Sequence, residues 1–215
     1  MNDQLSLTGA FNRLIESWLI GVHTAIPAYV LQYHSGESRA DVKPLISMQD
    51  DLGNVQERST LLGVPVQMPG SSTAVVNIPI KQGDIVLLVF SMRGLDAFKG
   101  GDGTPAAPTD FRMFDKRDAI AIPGVFPFEL HPNQRRVLPF NPDALSLTAN
   151  IGTEKESTVE LSETGVRTQV GNSILSVTPT GVNIVGLLTV NGVPYNLHTH
   201  SGVTTGPGVS GPVVV

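Results

Sequence analysis

The sequence predicts an all-β protein with one N-terminal helix, an OB-type β-barrel, and a C-terminal β region that several chains complete together. Three observations lead to this fold class. Apolar residues recur at helical spacing only near the N-terminus. The chain contains 22 glycines and 16 prolines beside only 15% charged residues, a composition typical of turn-rich β proteins. Short runs rich in β-branched residues then fill most of the remaining sequence.

The helix is predicted within residues 1–24, over residues 5–20. Gly21 and Pro27 are the signals that end it. Its apolar stripe can pack on the chain's own domain or dock on a partner, and the sequence alone does not separate the two. The residues of the stripe are Leu7, Phe11, Leu14, Ile15, Trp18 and Leu19.

The OB-type barrel is predicted over residues 25–125. Five short runs bounded by turn signals suit a small antiparallel barrel. Residues 35–37 fit a hairpin between the first two runs, and residues 82–84 fit a tight turn before the fourth. The runs are residues 25–33, 40–48, 73–80, 84–90 and 118–124.

One segment within this region and one directly after it are predicted to be connections. Residues 99–113 contain a Gly-rich stretch that no helix or Gly-Lys-Ser/Thr sequence follows, so a phosphate-binding loop is excluded and a mobile surface loop is expected. Residues 126–143 contain four prolines and little periodicity, which predicts a linker.

A short repeat dominates residues 144–194. Thr164-Gly165-Val166 recurs sixteen residues later as Thr180-Gly181-Val182, with similar flanks. Two such units bury too little apolar surface to be stable alone, so we expect an intertwined triple-stranded β-helix formed by three chains. A local β-meander in a single chain is the alternative. The residues expected to face a shared axis are Leu161, Val166, Val170, Ile174, Val177, Val182, Ile184, Leu187 and Val190.

The charge distribution argues against some classes of function. The formal net charge is −5 and no cluster of Lys and Arg is present, so nucleic-acid binding is not expected. After Arg167 no Asp, Glu, Lys or Arg occurs through Val215. Such a segment must be buried, disordered, or fitted to surroundings such as lipid, where a charged side chain costs about 3 kcal/mol or more.

The last segment, residues 195–215, contains the candidate metal ligands His198 and His200. In an extended chain these two side chains project to the same side. Two imidazoles are too few for a closed site, but three chains supply six, which fills an octahedral shell. A trimer of this chain would therefore provide enough ligands for one metal ion.

The chain resembles the membrane-piercing spike proteins at the tip of contractile phage tails and related tail-like particles. The resemblance covers most of residues 25–212. The stretches that carry it are 198–203, Gly206 and 210–212 at the C-terminus, and 63–66, 78–80, 82–84 and 118–124 upstream.

This resemblance implies a homotrimer in the virion, at the tip of the tail baseplate, that contacts hub proteins and transiently the host outer membrane. It implies an OB-type domain towards the hub, a shaft over residues 144–194, and an apex over 195–215. One iron ion per trimer is expected, held by six nitrogens from His198 and His200 of three chains. Some relatives add a lysozyme domain; here we expect mechanical piercing and no enzyme activity.

Two other functions are compatible with parts of the sequence. A trimeric tail fibre or adhesin would bind a cell-surface receptor through a similar trimer. A His-x-His metal hydrolase would need further ligands and a base, and His23, His34 and His131 fall in unrelated segments. The carboxylates of Asp84, Asp96 and Asp118 are expected in turns or at the surface.

Overall fold

The computed structural model describes residues 7–50, 52–131 and 140–195 of the 215-residue chain. The chain divides into two compact units, residues 1–127 and 128–215. Each unit is built around its own antiparallel β-sheet of five strands. The prediction of an all-β chain with an N-terminal helix is confirmed.

The first unit begins with helix α1, Leu7–Ile20, whose bounds agree with the apolar periodicity. A single-turn helix, α2, follows at Asp96–Lys99. The strands are β1 (Ala25–His34), β2 (Arg39–Pro44), β3 (Met48–Gln49), β4 (Val55–Gln56), β5 (Leu61–Pro65), β6 (Ile85–Phe90) and β7 (Ala119–Pro123).

The main sheet of this unit curls into a half-barrel. Its strand order is β5-β2-β1-β6-β7, and all of these neighbours are antiparallel. The two edges meet at one point, where Val66 forms a parallel bridge with Ala121 and the Gln67 amide donates to the Ala121 carbonyl at 2.9 Å. This connectivity is compatible with the OB-type barrel expected from the sequence.

The core of the first unit lies on the concave face of the half-barrel. Every second residue of β2 and β6 is buried, as expected of strands with one face on a core. The apolar run of β6 therefore alternates between the two faces, with Val89 38% exposed on the outer face. The buried apolar residues are Ala28, Val30, Ala40, Val42, Leu61, Val64, Val66, Ile80, Val86, Leu88, Phe90, Ala119 and Ala121.

In the main sheet of the first unit, one predicted strand is wrong and one strand was missed. Residues 73–80 form no strand; only Val75 makes an isolated bridge, with Gly70. Pro79 lacks the amide that a central strand must donate. The strand that completes the sheet is instead β5, at residues 61–65. Within it, Gly63 adopts φ 61°, and the Gly63 amide donates to the Asp41 carboxylate at 2.8 Å.

The second unit contains a five-stranded meander followed by a two-stranded hairpin. The sheet has the order β12-β11-β10-β9-β8, with each strand antiparallel to its neighbours in sequence. The strands are β8 (Leu145–Ala149), β9 (Ser157–Ser162), β10 (Gly165–Val170), β11 (Ser173–Thr178), β12 (Gly181–Val185), β13 (Thr189–Val190) and β14 (Val193–Pro194).

The sequence repeat corresponds to two hairpins with the same turn, one between β9 and β10 and the other between β11 and β12. In the first, the hydroxyl groups of Ser162 and Thr164 lie 2.9 Å apart, and Ser162 also donates to the carbonyl of Gly165 at 3.4 Å. In the second, the hydroxyls of Thr178 and Thr180 are 3.0 Å apart, and Thr178 donates to the carbonyl of Gly181 at 3.2 Å. The repeated Thr-Gly pair thus encodes the turn, and its glycine is the first residue of the next strand.

Candidate functional site

The second sheet presents a continuous apolar face. In an antiparallel sheet, residues directly opposite one another point to the same side. Two complete rows cross all five strands, and Val170 of a third row lies on the same side. The first row is Leu145, Leu161, Val166, Val177 and Val182, and the second is Leu147, Val159, Thr168, Leu175 and Ile184. We call the ten Leu, Val and Ile residues of these rows, Val170 included, the apolar face.

The opposite face of the same sheet is mainly polar. Glu160, Arg167, Ser176 and Asn183 form one row across β9 to β12. Hydrogen bonds join side chains of this face, such as Thr148 to Thr158 at 3.3 Å, and Arg167 to Gln169 at 2.6 Å. The period-two alternation of the strands therefore separates a face suited to water from one that is not.

The apolar face is exposed in the single chain. Its ten side chains are between 37% and 69% exposed. Burying a Val or Leu side chain completely contributes about 1.5–3 kcal/mol, so covering ten that are half exposed is worth on the order of 10 kcal/mol per chain. An exposed apolar surface of this extent is typical of a protein–protein interface.

The structure groups most of the residues predicted to face a shared axis. Leu161, Val166, Val170, Val177, Val182 and Ile184 all belong to the apolar face. Ile174 does not: it pairs with Gln169 and Val185 on the opposite face. The sequence interpretation also missed four members of the face, which a strict i, i+2 count along the strands would have found: Leu145, Leu147, Val159 and Leu175.

A charged cluster holds the loop before β7 in the first unit. Arg112 donates to both carboxylate oxygens of Asp118, at 2.7 and 3.0 Å, to Asp110 at 2.7 Å, and to Asp96. Asp118 is 1% exposed and also accepts the Leu95 amide at 2.8 Å. The Arg112 guanidinium holds the pKa of Asp118 below its ordinary value.

This cluster corrects two expectations. Asp118 ends the turn over residues 115–118, as expected, but it is buried against Arg112 and does not lie at the surface. The predicted mobile loop, residues 99–113, contains Arg112 and is therefore fastened to the core at that end. Asp84 does act as a turn carboxylate, since it accepts the Lys81 amide at 2.7 Å.

The described histidines make local contacts. The His23 ring lies 5.3 Å from the Phe90 ring, and the Nδ1 atom of His23 is 3.1 Å from the Phe114 carbonyl. His34 lies 3.4 Å from the Asp41 carboxylate. Within residues 7–50, 52–131 and 140–195, no group of three or more His, Asp or Glu side chains is placed to hold a metal ion. The predicted ligands His198 and His200 lie outside the described residues.

A groove of about 790 Å³ opens in the first unit beside the end of α1. Its wall combines apolar residues such as Ile26 and Leu61 with the ion pair between Lys43 and Glu57, whose charged atoms are 3.0 Å apart. His23 also lines this groove. None of the helices in the described segments is long and apolar enough to cross a membrane.

A protein-family model matches part of the chain. Residues 26–124, slightly less than half of the chain, match the family model described as phage protein Gp138 N-terminal domain. The matched region contains nearly all of the curled sheet of the first unit. A search of curated proteins found no match. Over this region the chain is similar to a phage protein, which supports a structural component of a phage virion.

Proposed function

We propose that the chain is one of three identical subunits of a spike at the tip of a contractile tail baseplate, and that the spike pierces the host outer membrane mechanically. The apolar face of the second sheet is the observation that carries this proposal. Its rows run across all five strands, so a partner must cover the sheet along its width. The same face of identical chains supplies such a cover without any additional protein.

A shared apolar core would also make a single-layered sheet rigid enough to form the shaft of the spike. Chains that bury this face against one another leave few free strand edges and cannot separate one strand at a time. The region of the sheet after Arg167 contains no charged residue, which lowers the cost of contact with lipid. No catalytic step is needed for this action.

The tip of this spike would be closed by iron. His198 and His200 of three chains provide six imidazole nitrogens, which suit an octahedral ion better than zinc with its usual four ligands. Such a site has no open position, so the ion would fasten the chain ends together. The first unit would then contact the hub of the baseplate.

The trimer is tested by a pair of variants on β12. Val182 is 65% exposed in the single chain and Asn183, the next residue, lies on the opposite face. Val182→Lys leaves a single chain intact but places three lysines in the proposed core. Native mass spectrometry and size-exclusion chromatography should show a trimer for the unmodified chain and for Asn183→Lys, and dissociation for Val182→Lys. A monomeric unmodified chain, or a Val182→Lys trimer as stable as the control, would refute the proposed core.

A trimeric fibre or adhesin would share this core, so a second experiment separates the two functions. The intact trimer is titrated onto host cells and onto cells stripped of surface sugars. A spike should show no saturable binding that depends on one surface sugar. Saturable, sugar-dependent binding would favour the adhesin.

A further inference from the structure

We infer that α1 is a second interface between copies of this chain, in which the helices of three subunits pack as a short parallel bundle. This inference rests on the proposed trimer and adds a contact at the opposite end of the sequence from the predicted metal site. It assigns a role to α1, for which the sequence alone allowed either packing on its own domain or docking on a partner.

Within the described residues, α1 does not pack on its own domain. No residue of the helix is buried. Its apolar stripe is open along its whole length, from Leu7 at 80% exposed to Trp18 at 79%. A helix of 14 residues is marginally stable alone in water, so an external surface must hold it.

The spacing of the stripe is that of a helix packing on other helices. Leu7, Phe11, Leu14 and Trp18 follow one another in steps of four, three and four residues. This alternation places them at successive core positions of a heptad pattern, where side chains of one helix insert between those of its neighbours. Two heptads are short, but helices tethered to one trimer meet at a high effective concentration.

We call the four core positions of the helix the seam. The residues that flank this seam favour packing against identical helices. Thr8, Ala10, Ile15 and Ser17 occupy the flanking positions, and none carries a charge. Copies of one helix bring the same residues together, so a charge there would meet its own like charge. The charged residues, Arg13 and Glu16, lie on the outer side of the helix, where they remain in water.

The width of the stripe favours three helices over two. Ile15 lies beside the seam and is 52% exposed, and it widens the apolar surface beyond the narrow stripe of a two-helix contact. A bundle of three covers the seam and one flank of every helix. The number of helices thus agrees with the number of chains proposed for the second sheet.

The chain contains one tryptophan, Trp18, and no cysteine, so α1 can be probed in the intact protein without background. The first readout is Trp18 fluorescence and its quenching by acrylamide. The second is disulfide formation in two single-cysteine variants, Leu14→Cys on the seam and the matched control Glu16→Cys on the outer side. Native mass spectrometry of each sample reports the number of chains independently.

A trimer with quencher-protected Trp18 is expected, together with disulfide-linked chains that form about tenfold faster in Leu14→Cys than in Glu16→Cys because of the high effective concentration at the seam. A trimer in which Trp18 is freely quenched and both variants oxidise equally slowly overturns the helix bundle and leaves the spike intact, with α1 open to a hub protein. A chain that is not trimeric overturns the proposed function itself, and native mass spectrometry distinguishes that result from the previous one.

Discussion

Arg112 holds the buried carboxylate of Asp118 through two hydrogen bonds, of 2.7 Å to one oxygen and 3.0 Å to the other. Asp118 immediately precedes β7, the strand that closes the half-barrel against Val66. The same carboxylate accepts the Leu95 amide, so one buried charge fixes the segment before α2 as well as the start of β7. Arg112 thereby ties a long loop to the edge of the sheet.

Replacing Arg112 by Ala should strongly destabilise the first unit. The Asp118 carboxylate would remain buried without its counter-charge, and breaking a buried pair in this way costs about 3–5 kcal/mol. The loss of stability is measured by denaturant unfolding, with hydrogen–deuterium exchange as the readout. Peptides that cover β6 and β7 report on the first unit alone.

Arg117 is the matched control for this prediction. It pairs with Asp115 at 2.8 Å, but the Arg117 side chain is 62% exposed. Exposed pairs contribute about 0–1 kcal/mol, so Arg117→Ala should change the same exchange protection little. Equal effects of the two substitutions would contradict the assignment of the Arg112–Asp118 pair as the fastening of this loop.

The same pair predicts how the stability of the first unit depends on pH. Arg112 lowers the pKa of Asp118 in the folded state below the ordinary value of 3.8. A carboxyl with a lowered folded pKa stabilises the fold above its unfolded pKa, and that contribution is lost as the pH falls through the folded pKa. Stability should therefore decline as the pH drops below 3.8.

Acid titration of Asp118→Asn tests this dependence. The variant should be less stable than the unmodified chain at neutral pH and should lose less stability on acidification, because it has no carboxylate at this position to protonate. The pH profile of urea unfolding, followed through the same peptides, gives the comparison. If the free energy of unfolding of the variant falls with pH as steeply as that of the unmodified chain, other carboxylates govern the acid transition.

The two Thr-Gly turns of the repeat should respond differently to the same substitution. Gly165 and Gly181 have φ angles of 134° and 146°, which a residue with a Cβ rarely adopts. At Gly165 an added Cβ would lie 2.0 Å from the Val177 carbonyl oxygen, whereas at Gly181 it would meet nothing within 4 Å.

Gly181→Ala should cost about 1–3 kcal/mol from backbone strain alone. Gly165→Ala should cost more, because β10 and β11 must also separate to accommodate the methyl group. Thermal unfolding of the two variants, with exchange measured over β9 to β12, ranks them. Equal destabilisation would show that the contact with Val177 relaxes without cost.

The local elements of the fold could be predicted because short-range patterns determine them. The period of Phe11, Leu14 and Trp18 set the bounds of α1, and the Thr-Gly repeat located the hairpins of the second sheet. The misassigned strand at residues 73–80 has the composition of a strand, but Pro79 interrupts its donors. Strand β5 was missed because Gly63 interrupts an otherwise apolar run, and its pairing with β2 is a long-range property.

The candidate site was predicted only in part, because local patterns determine some of its residues and long-range pairing determines the others. The apolar residues of β10 and β12 were recognised from the repeat, while Ile174 was placed on the wrong side because only the register across β10, β11 and β12 fixes its face. The Arg112–Asp118 pair joins residues whose burial depends on how the loop returns to the sheet. No local pattern distinguishes that aspartate from the exposed ones around it.

The last prediction concerns the metal and the two histidines beyond the described residues. Native mass spectrometry with elemental analysis should find one iron ion per three chains. Changing both His198 and His200 to Ala should abolish the metal and loosen the C-terminal end, because six nitrogens from three chains would no longer be joined. His131→Ala is the matched control, since the resemblance gives that histidine no ligand role, and it should keep the metal. A metal-free trimer would keep the shaft but make the His-x-His pair a packing feature. One metal ion bound by each monomer would contradict the shared site and favour the hydrolase instead.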